Sequence, residues 1–286
     1  MKKLLILLNH PQNVPFIDFL KRQLGEEFIK VGYFNQLIIT VEMGKIRVWL
    51  EKENLSDYDL VYFRRSGKYT NFTKALAYYC EKSKIDYMNR AYSQNLVSDK
   101  IGDMVRLAFA GLPVAPSTVC IPQNLPDGYD YPLIVKTPDD HGGFGVNLIK
   151  NKESLNSLPS EIKIFQKYYS NDGDFRILVA DGRVIIAEKR IRQQDEYRNT
   201  AGLGGKEVFY QLDKFPEKLK RLSIQAAEVL DLQIAGVDIL IDQETSKEWI
   251  LEVNPKPTFT SDLNISPELP EVAKYFADKL GKKSGH

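Results

Sequence analysis

The segment Ala235-Gly236-Val237-Asp238-Ile239-Leu240, followed by Glu248-Trp249-Ile250-Leu251-Glu252-Val253-Asn254-Pro255, constrains this chain more than any other. Side chains two apart in a strand share a face. Glu248, Ile250, Glu252 and Asn254 are thereby expected on one face, with Trp249, Leu251 and Val253 turned into a core. If Asp242 and Glu248 flank a loop of residues 243–247, antiparallel register sets Asp238 directly opposite Glu252, with Cβ atoms roughly 4.5–5.5 Å apart. Two facing carboxylates repel unless a cation sits between them. Asp238 lies inside the apolar run 234–241 and Glu252 between Leu251 and Val253, so neither belongs to ordinary polar surface. Asp238, Glu252 and Asn254 are therefore the expected oxygen ligands of a divalent ion. A site that leaves room for water and phosphate oxygens suits magnesium, or manganese in its place, better than calcium. Zinc has no support: His10, His141 and His286 are the only histidines, and Cys80 and Cys120 lack ligand spacing.

A chain of 286 residues, 43% hydrophobic and 27% charged, is long enough for two or three compact lobes of ordinary globular composition. A net charge of +1 gives no global case for nucleic acid or membrane, so a small molecule or a peptide is the expected partner. The aliphatic run Leu4-Leu5-Ile6-Leu7-Leu8 ends in Asn9-His10-Pro11, too short for a signal peptide or a membrane span. With only two cysteines, a reducing cytoplasm is the expected location.

Alternation of apolar runs and helical stripes predicts an open α/β domain over residues 1–92. It has strands near 4–8, 37–41, 46–50, 59–63 and 85–88 and helices over 15–24 and 72–82. A helix capped by Ser98 runs to Ala110, with Ile101, Met104, Val105 and Ala108 as its apolar stripe and Lys100 off it. From Tyr131 onward the pattern changes to antiparallel β with helices inserted. Strands are expected at 133–136 and 146–149, and a hairpin at 175–180 and 183–188 across Asp181-Gly182, a strong two-residue turn signal. That turn predicts Asp174 opposite Lys189, with Arg176 on the same face. A helix over 216–231 leads into the acidic hairpin.

Gly142, Gly143 and Gly145 form a loop whose backbone can approach phosphate oxygens, since no Cβ intervenes. Lys136 stands on the strand just before it. Neither G-x-x-x-x-G-K-[ST] nor G-x-G-x-x-G occurs, which argues against a P-loop enzyme and a dinucleotide-binding domain.

Taken in order, Lys100, Lys136, the glycine loop, Phe165-Gln166-Lys167-Tyr168-Tyr169, Asp174-Phe175-Arg176, Lys189-Arg190, Asp238 and Glu252-Val253-Asn254 resemble the ATP-grasp superfamily. The likeness is greatest to RimK-like and glutathione-synthetase-like carboxylate–amine ligases and covers about residues 85–265. It implies an N-terminal α/β domain over residues 1–92 followed by a two-lobed ATP-grasp domain, a central lobe over 93–167 and a C-terminal lobe over 168–286, with the nucleotide between these α+β lobes. It further implies that Lys100 and Lys136 contact ATP phosphates, and that the backbone of Gln166, Lys167 and Tyr168 meets adenine. Asp174 would lie near the ribose or the substrate mouth, and Arg198 and Asn199 near nucleotide or acyl phosphate. Arg176, Lys189 and Arg190 would neutralise charge in the reaction, and Asp238, Glu252 and Asn254 would be the magnesium ligands. Relatives often assemble as homodimers or homotetramers.

The chain also departs from the pattern. Where RimK-like enzymes show Arg-Ser-Asn followed two residues later by histidine, it has Arg198-Asn199-Thr200 and then Gly202, so the second-substrate pocket need not take the same partner. Lys167 replaces a common hinge acid, and Lys256 adds a cation after the metal ligands. The expected activity is ATP-dependent ligation of a small-molecule or peptide carboxylate to an amine through an acyl phosphate, releasing ADP and phosphate. A kinase on the same fold and a non-catalytic nucleotide-binding regulator are the alternatives; an amine requirement separates the first, and absence of turnover the second. Arg64, Arg65, Arg176, Lys189, Arg190 and Lys256 suggest an anionic acceptor.

Overall fold

The computed structural model describes residues 2–11, 14–94, 99–140, 145–193, 196–199, 205–260, 262–264 and 266–281. Its first unit is a parallel sheet. β1 (Leu4–Leu8) is buried along its whole length, which its five aliphatics require of a strand covered on both faces. It pairs in parallel with β2 (Ile29–Tyr33) on one side and β6 (Leu60–Phe63) on the other, and β7 (Asp86–Met88) extends the sheet beyond β6. α1 (Pro15–Leu24) starts on a proline and buries Phe16, Ile17, Phe19 and Leu20; α2 (Thr70–Lys82) buries Leu76, Ala77 and Cys80. A separate antiparallel sheet of β3 (Leu37–Glu42), β4 (Lys45–Leu50) and β5 (Glu53–Asn54) lies between β2 and β6 in the chain. β2 was not expected: Lys30 and Gly32 break its apolar pattern, and Gly32 is needed because a Cβ there would meet Leu50 at 2.6 Å.

α3 (Lys100–Phe109) is capped by Asp99, whose Oδ1 accepts from the Gly102 N–H at 2.7 Å. Ser98, expected as the cap, lies outside the described residues. The expected stripe is corrected: the buried positions are Asp103 and Leu107, while Val105 and Ala108 are exposed. Leu107 at i+4 from Asp103 faces the core beneath α5 (Glu217–Val229), and Arg106 anchors that orientation by donating to the Val229 carbonyl at 2.6 Å.

β8 (Ser117–Cys120), β9 (Leu133–Lys136), β10 (Val146–Ile149) and β11 (Lys163–Lys167) form a small antiparallel sheet in the order β10-β9-β11-β8. Leu133, Val135, Ile149 and Phe165, with Leu155 of the short α4 (Lys152–Asn156), make its own apolar centre. The larger sheet follows, β12 (Asp174–Ala180), β13 (Arg183–Ile191), β14 (Lys206–Phe209), β15 (Ile234–Ile241) and β16 (Glu248–Asn254), ordered β14-β13-β12-β15-β16. One face carries Phe175, Ile177, Val179, Ala235, Val237 and Ile239 against α5.

Two β-bulges decide what the other face carries. Between β12 and β13, Val179 pairs with Val184 but Leu178 with Ile186, leaving Ile185 over. Asp174 therefore faces Arg190, and Lys189 faces Phe175. This corrects the expected Asp174–Lys189 pair, because one extra residue exchanges the two faces of everything beyond it. Between β15 and β16, Ile239 pairs with Ile250 and Asp238 with Glu252, leaving Leu251 over. Ile250 thus joins the core with Val253, and Trp249 faces Leu240 on the side of Asp238, the reverse of plain alternation.

α6 (Glu268–Lys279), also unexpected, packs on α1. Its Leu269, Val272, Ala273 and Phe276 close one core with Leu4, Ile6 and Leu8 of β1 and with Leu178, Ile186 and Ile234 of the large sheet. Asn89 ties the same two regions: its amide donates to the carbonyls of Ile234 at 3.1 Å and Pro255 at 2.8 Å and accepts from the Ile234 N–H at 2.9 Å. Among the described residues no helix is long and apolar enough to cross a membrane.

Candidate functional site

The upper half of the large sheet's second face is charged. Register places Glu188, Arg176, Asp238 and Glu252 in one cross-strand row, each opposite the next on β13, β12, β15 and β16. The neighbouring row runs Glu207, Arg190, Asp174 on β14, β13 and β12. Opposed residues on one face sit at contact distance, and the side chains use it. Arg176 grips Asp238 in a two-pronged pair, Nε to Oδ1 and Nη2 to Oδ2, both 2.9 Å. Arg190 Nε donates to Asp174 Oδ1 at 2.8 Å and its Nη2 reaches Asp238 Oδ2 at 3.1 Å. All four are largely buried, with Asp238 and Asp174 6% exposed.

Electrostatics divide the acids. Burial works to raise the pKa of Asp238, but two guanidiniums outweigh it and hold its carboxyl below the usual range. Asp174 has Arg190 alone as direct partner, so burial wins, helped by the charge of Asp238, and its carboxyl is raised. Lys136 projects from β9 into reach of Glu252, Lys100, Asp238 and Asp174; burial lowers its pKa, with Glu252 opposing. Gly236, opposite Asn254, leaves space over the sheet that a Cβ would take, meeting Pro257 at 3.1 Å.

The donor set fits a hard divalent cation. Asp238 and Glu252 are opposed carboxylates on one face, Asn254 follows on that face, and although Asp238 Oδ2 meets two guanidiniums, Oδ1 accepts from Arg176 alone and keeps one lone-pair site free. No group of three or more His, Cys, Asp or Glu suited to a metal occurs among the described residues.

Other expected residues divide. Lys100 Nζ donates to the carbonyls of Thr137, at 3.3 Å, and Asp140, at the base of the glycine loop. Gly145 is at φ 73°, and a Cβ there would overlap the Asp140 carboxylate. Gly142 and Gly143, with His141, Thr200, Gly202 and His286, lie outside the described residues. Gln166 donates to Ser117 Oγ at 2.7 Å, the Tyr168 N–H to the Pro132 carbonyl at 3.2 Å, and Lys167 lies 5.8 Å from the Tyr169 ring. Lys189 is not brought into the charged rows: it lies over the Phe175 ring at 5.5 Å and pairs with Asp172 at 2.7 Å. Arg198 pairs with Glu196 at 2.9 Å, and Asn199 donates to Asn171 at 3.1 Å beside Arg192.

The N-terminal domain adds cations. Arg64 is 2% exposed; Nη2 donates to the Pro257 carbonyl at 2.6 Å, while Nε and Nη1 are buried without a hydrogen-bond partner. Lys256 donates to Ser66 at 2.6 Å, and burial, aided by Arg64, lowers its pKa to about 8. A cavity of about 460 Å³ in the same domain is lined by Asn9, His10, Pro11, Asn35, Lys68 and Tyr69. It sits beyond the C-terminal ends of β1 and β6, where the strand order reverses, a usual crevice in open α/β sheets. The sequence reading passed over Glu188, Glu207 and Glu268. Glu188 ends the apolar run Val184-Ile185-Ile186-Ala187 and is followed by Lys189-Arg190, so it lacks the flanking apolar residues that single out Asp238.

The profile of the RimK-like ATP-grasp domain matches residues 114–270. A probable alpha-L-glutamate ligase of Aeromonas salmonicida is 29% identical over 220 residues, 72% of this chain and 72% of that protein. The solved ATP-grasp ligase PsnB in complex with a minimal precursor superposes with a TM-score of 0.71 at 16% identity, over 98% of this chain and 99% of that one. D-alanine–D-alanine ligase from Bacillus anthracis complexed with ATP superposes at 0.66 with 16% identity, over 99% and 97%. The family domain spans more than half of the chain, and the acidic hairpin, the paired arginines and Lys136 all fall within it: the protein belongs to the RimK-like ATP-grasp family.

Proposed function

We propose that this protein joins a glutamyl or peptide carboxylate to an amine, with ATP as the energy source and an acyl phosphate as the intermediate. ATP-dependent carboxylate–amine ligation is the activity of the chain; the glutamyl and peptide preference is our reading, supported by the glutamate ligase and precursor-bound relatives. The observation that carries the reading is the row Arg176–Asp238–Glu252 with Arg190 beside it, opposed carboxylates next to two buried guanidiniums.

Asp238, Glu252 and Asn254 would hold magnesium, which supplies charge neutralisation across the phosphate oxygens. Lys136 and Lys100 would bind phosphate. Held in place by Asp174 and Asp238, Arg176 and Arg190 cannot swing away, so they meet the charge that develops on the transferred phosphoryl group without reorganising. Asp238, whose carboxyl the two arginines hold below the usual range, fixes both of them in turn. Arg64, buried with two unpartnered nitrogens, and Lys256 suit the anionic end of the substrate.

The test is ADP release measured against panels of carboxylates and amines, with mass spectrometry of the product. Amide formation that requires both substrates is expected. ADP release without an amine, leaving a stable phosphoryl product, would move the protein to the kinases. Nucleotide binding with no ADP formed on any combination would make it a regulator.

A further inference from the structure

Glu188 takes no part in the ligand set, yet it stands in the same row. It faces Arg176 across one strand pair and Phe209 across the other. Only 2% of it is exposed, and its Oε2 is buried with no hydrogen-bond partner. Two further acids converge on it. Glu207 of β14 accepts from the Thr260 hydroxyl at 3.0 and 2.9 Å, and Glu268, 3% exposed at the start of α6, accepts from the Thr260 N–H. After burial, Glu268 and Glu207 are the strongest influences on Glu188, with Arg176 and Arg190 opposing. A buried carboxyl oxygen left without a hydrogen-bond partner costs roughly 1–3 kcal/mol, and an apolar residue would serve the packing better. The position is therefore built for something that arrives.

We propose that this cluster receives the amine substrate as its ammonium ion, and that Glu188 Oε2 takes the proton the nitrogen must lose before it attacks. The inference rests on the ligase reading and names the side from which the nucleophile enters. Glu188 and Asp238 flank Arg176 two strand spacings apart, roughly 10 Å. An acyl phosphate held over Arg176 and Arg190 then has its phosphate toward Asp238 and its carbonyl carbon open toward Glu188. An ammonium offers three N–H donors, and three carboxyl groups surround it.

The step balances. R–NH3+ gives one proton to Glu188, and the freed lone pair forms the C–N bond. The C–O bond to phosphate breaks, the nitrogen's second proton leaves with phosphate as HPO4 2−, and Glu188 returns its proton to water. Burial, reinforced by Glu268 and Glu207, pushes Glu188 up to about 8, and burial pushes Glu268 up to about 7. A base in that range is partly free at neutral pH and still basic enough to accept.

Hydroxylamine tests the idea because it is already unprotonated at neutral pH and needs no proton acceptor. Wild type and Glu188→Gln are compared across a panel of carboxylates, with amino acids or hydroxylamine as nucleophile. In E188Q, amide formation is expected to fall roughly 100-fold or more at neutral pH and to recover as pH rises toward the amine's own pKa, while hydroxamate formation stays within about threefold. Equal loss with both nucleophiles, or unchanged amide formation, overturns the proposal. Wild type that forms neither amide nor hydroxamate refutes the ligase reading instead, and the inference with it. If E188Q does not fold, Glu268→Gln replaces it: KM for the amine should rise about tenfold with kcat for hydroxamate kept, and an unchanged KM counts against the cluster.

Discussion

Replacing Arg190 by methionine is the sharpest perturbation of the charged rows. The change removes the hydrogen-bonded partner of Asp174 at 2.8 Å and one of two partners of Asp238 at 3.1 Å. Asp238 keeps Arg176; Asp174 is left buried without a direct cation. Breaking such a buried pair from one side costs about 3–5 kcal/mol. For a chain of this length that is a fall in Tm of roughly 6–20 °C. Asp174→Asn alone should cost less, about 1–2 kcal/mol, because Arg190 retains Asp238. The double variant removes both members, so it should be about 2 kcal/mol more stable than the sum of the single losses predicts. The pH dependence has a fixed sign. Asp174 is already raised in the native protein, and without Arg190 it takes up a proton more readily, so the R190M loss should be smaller at pH 5 than at pH 8. Urea unfolding followed by circular dichroism, on nucleotide-free protein, measures all four corners of the cycle. Strict additivity of the single changes would mean that the two side chains are not coupled.

Three further outcomes are expected. Glu252→Gln should lower turnover roughly a hundredfold or more, the loss typical of one charge-stabilising group, with the melting curve little changed; normal activity would remove Glu252 from the metal site. Asn89→Ala strips three hydrogen bonds from buried backbone, so unfolding free energy should fall by about 3 kcal/mol, and a loss near zero would deny the tie between β7 and β15. Glu188 and Glu268 bind protons more tightly folded than unfolded, so the stability they confer is fully present below pH 4.5 and is lost as pH rises through about 7 and 8. E188Q should flatten that decline by about one proton in a stability–pH series, and an unaltered slope would show that Glu188 is ionised like a surface acid.

The opposition of Asp238 and Glu252 was legible because acids at the right parity interrupt two apolar runs. What lay between them was not. The extra residues Ile185 and Leu251 are ordinary aliphatics with no mark of a bulge, yet they decide that Arg190 rather than Lys189 meets Asp174, and that Ile250 rather than Trp249 shares a core with Val253. Turn chemistry at Asp181-Gly182 sets register only up to the first irregularity. β2, β8 and β14 went unseen because short strands with lysine, glycine or serine show no clean period. α6 does carry a helical stripe, Leu269, Val272, Ala273 and Phe276, but a stripe alone does not say that its partner is α1 at the other end of the chain. The acid trio was hidden for a related reason: Glu207 and Glu268 come from β14 and α6, elements that the pattern did not disclose.

The packing of α6 on α1 also bears on how the protein is made. Phe16, Phe19 and Leu20 emerge from the ribosome early, but the helix that covers them is translated on the order of 10–50 s later at ordinary elongation rates. Throughout that interval the nascent N-terminal sheet carries a bare oily flank. Production of this chain should therefore depend on chaperone supply, and shortened versions lacking residues 268–279 should accumulate as insoluble material even with every residue of the charged rows intact.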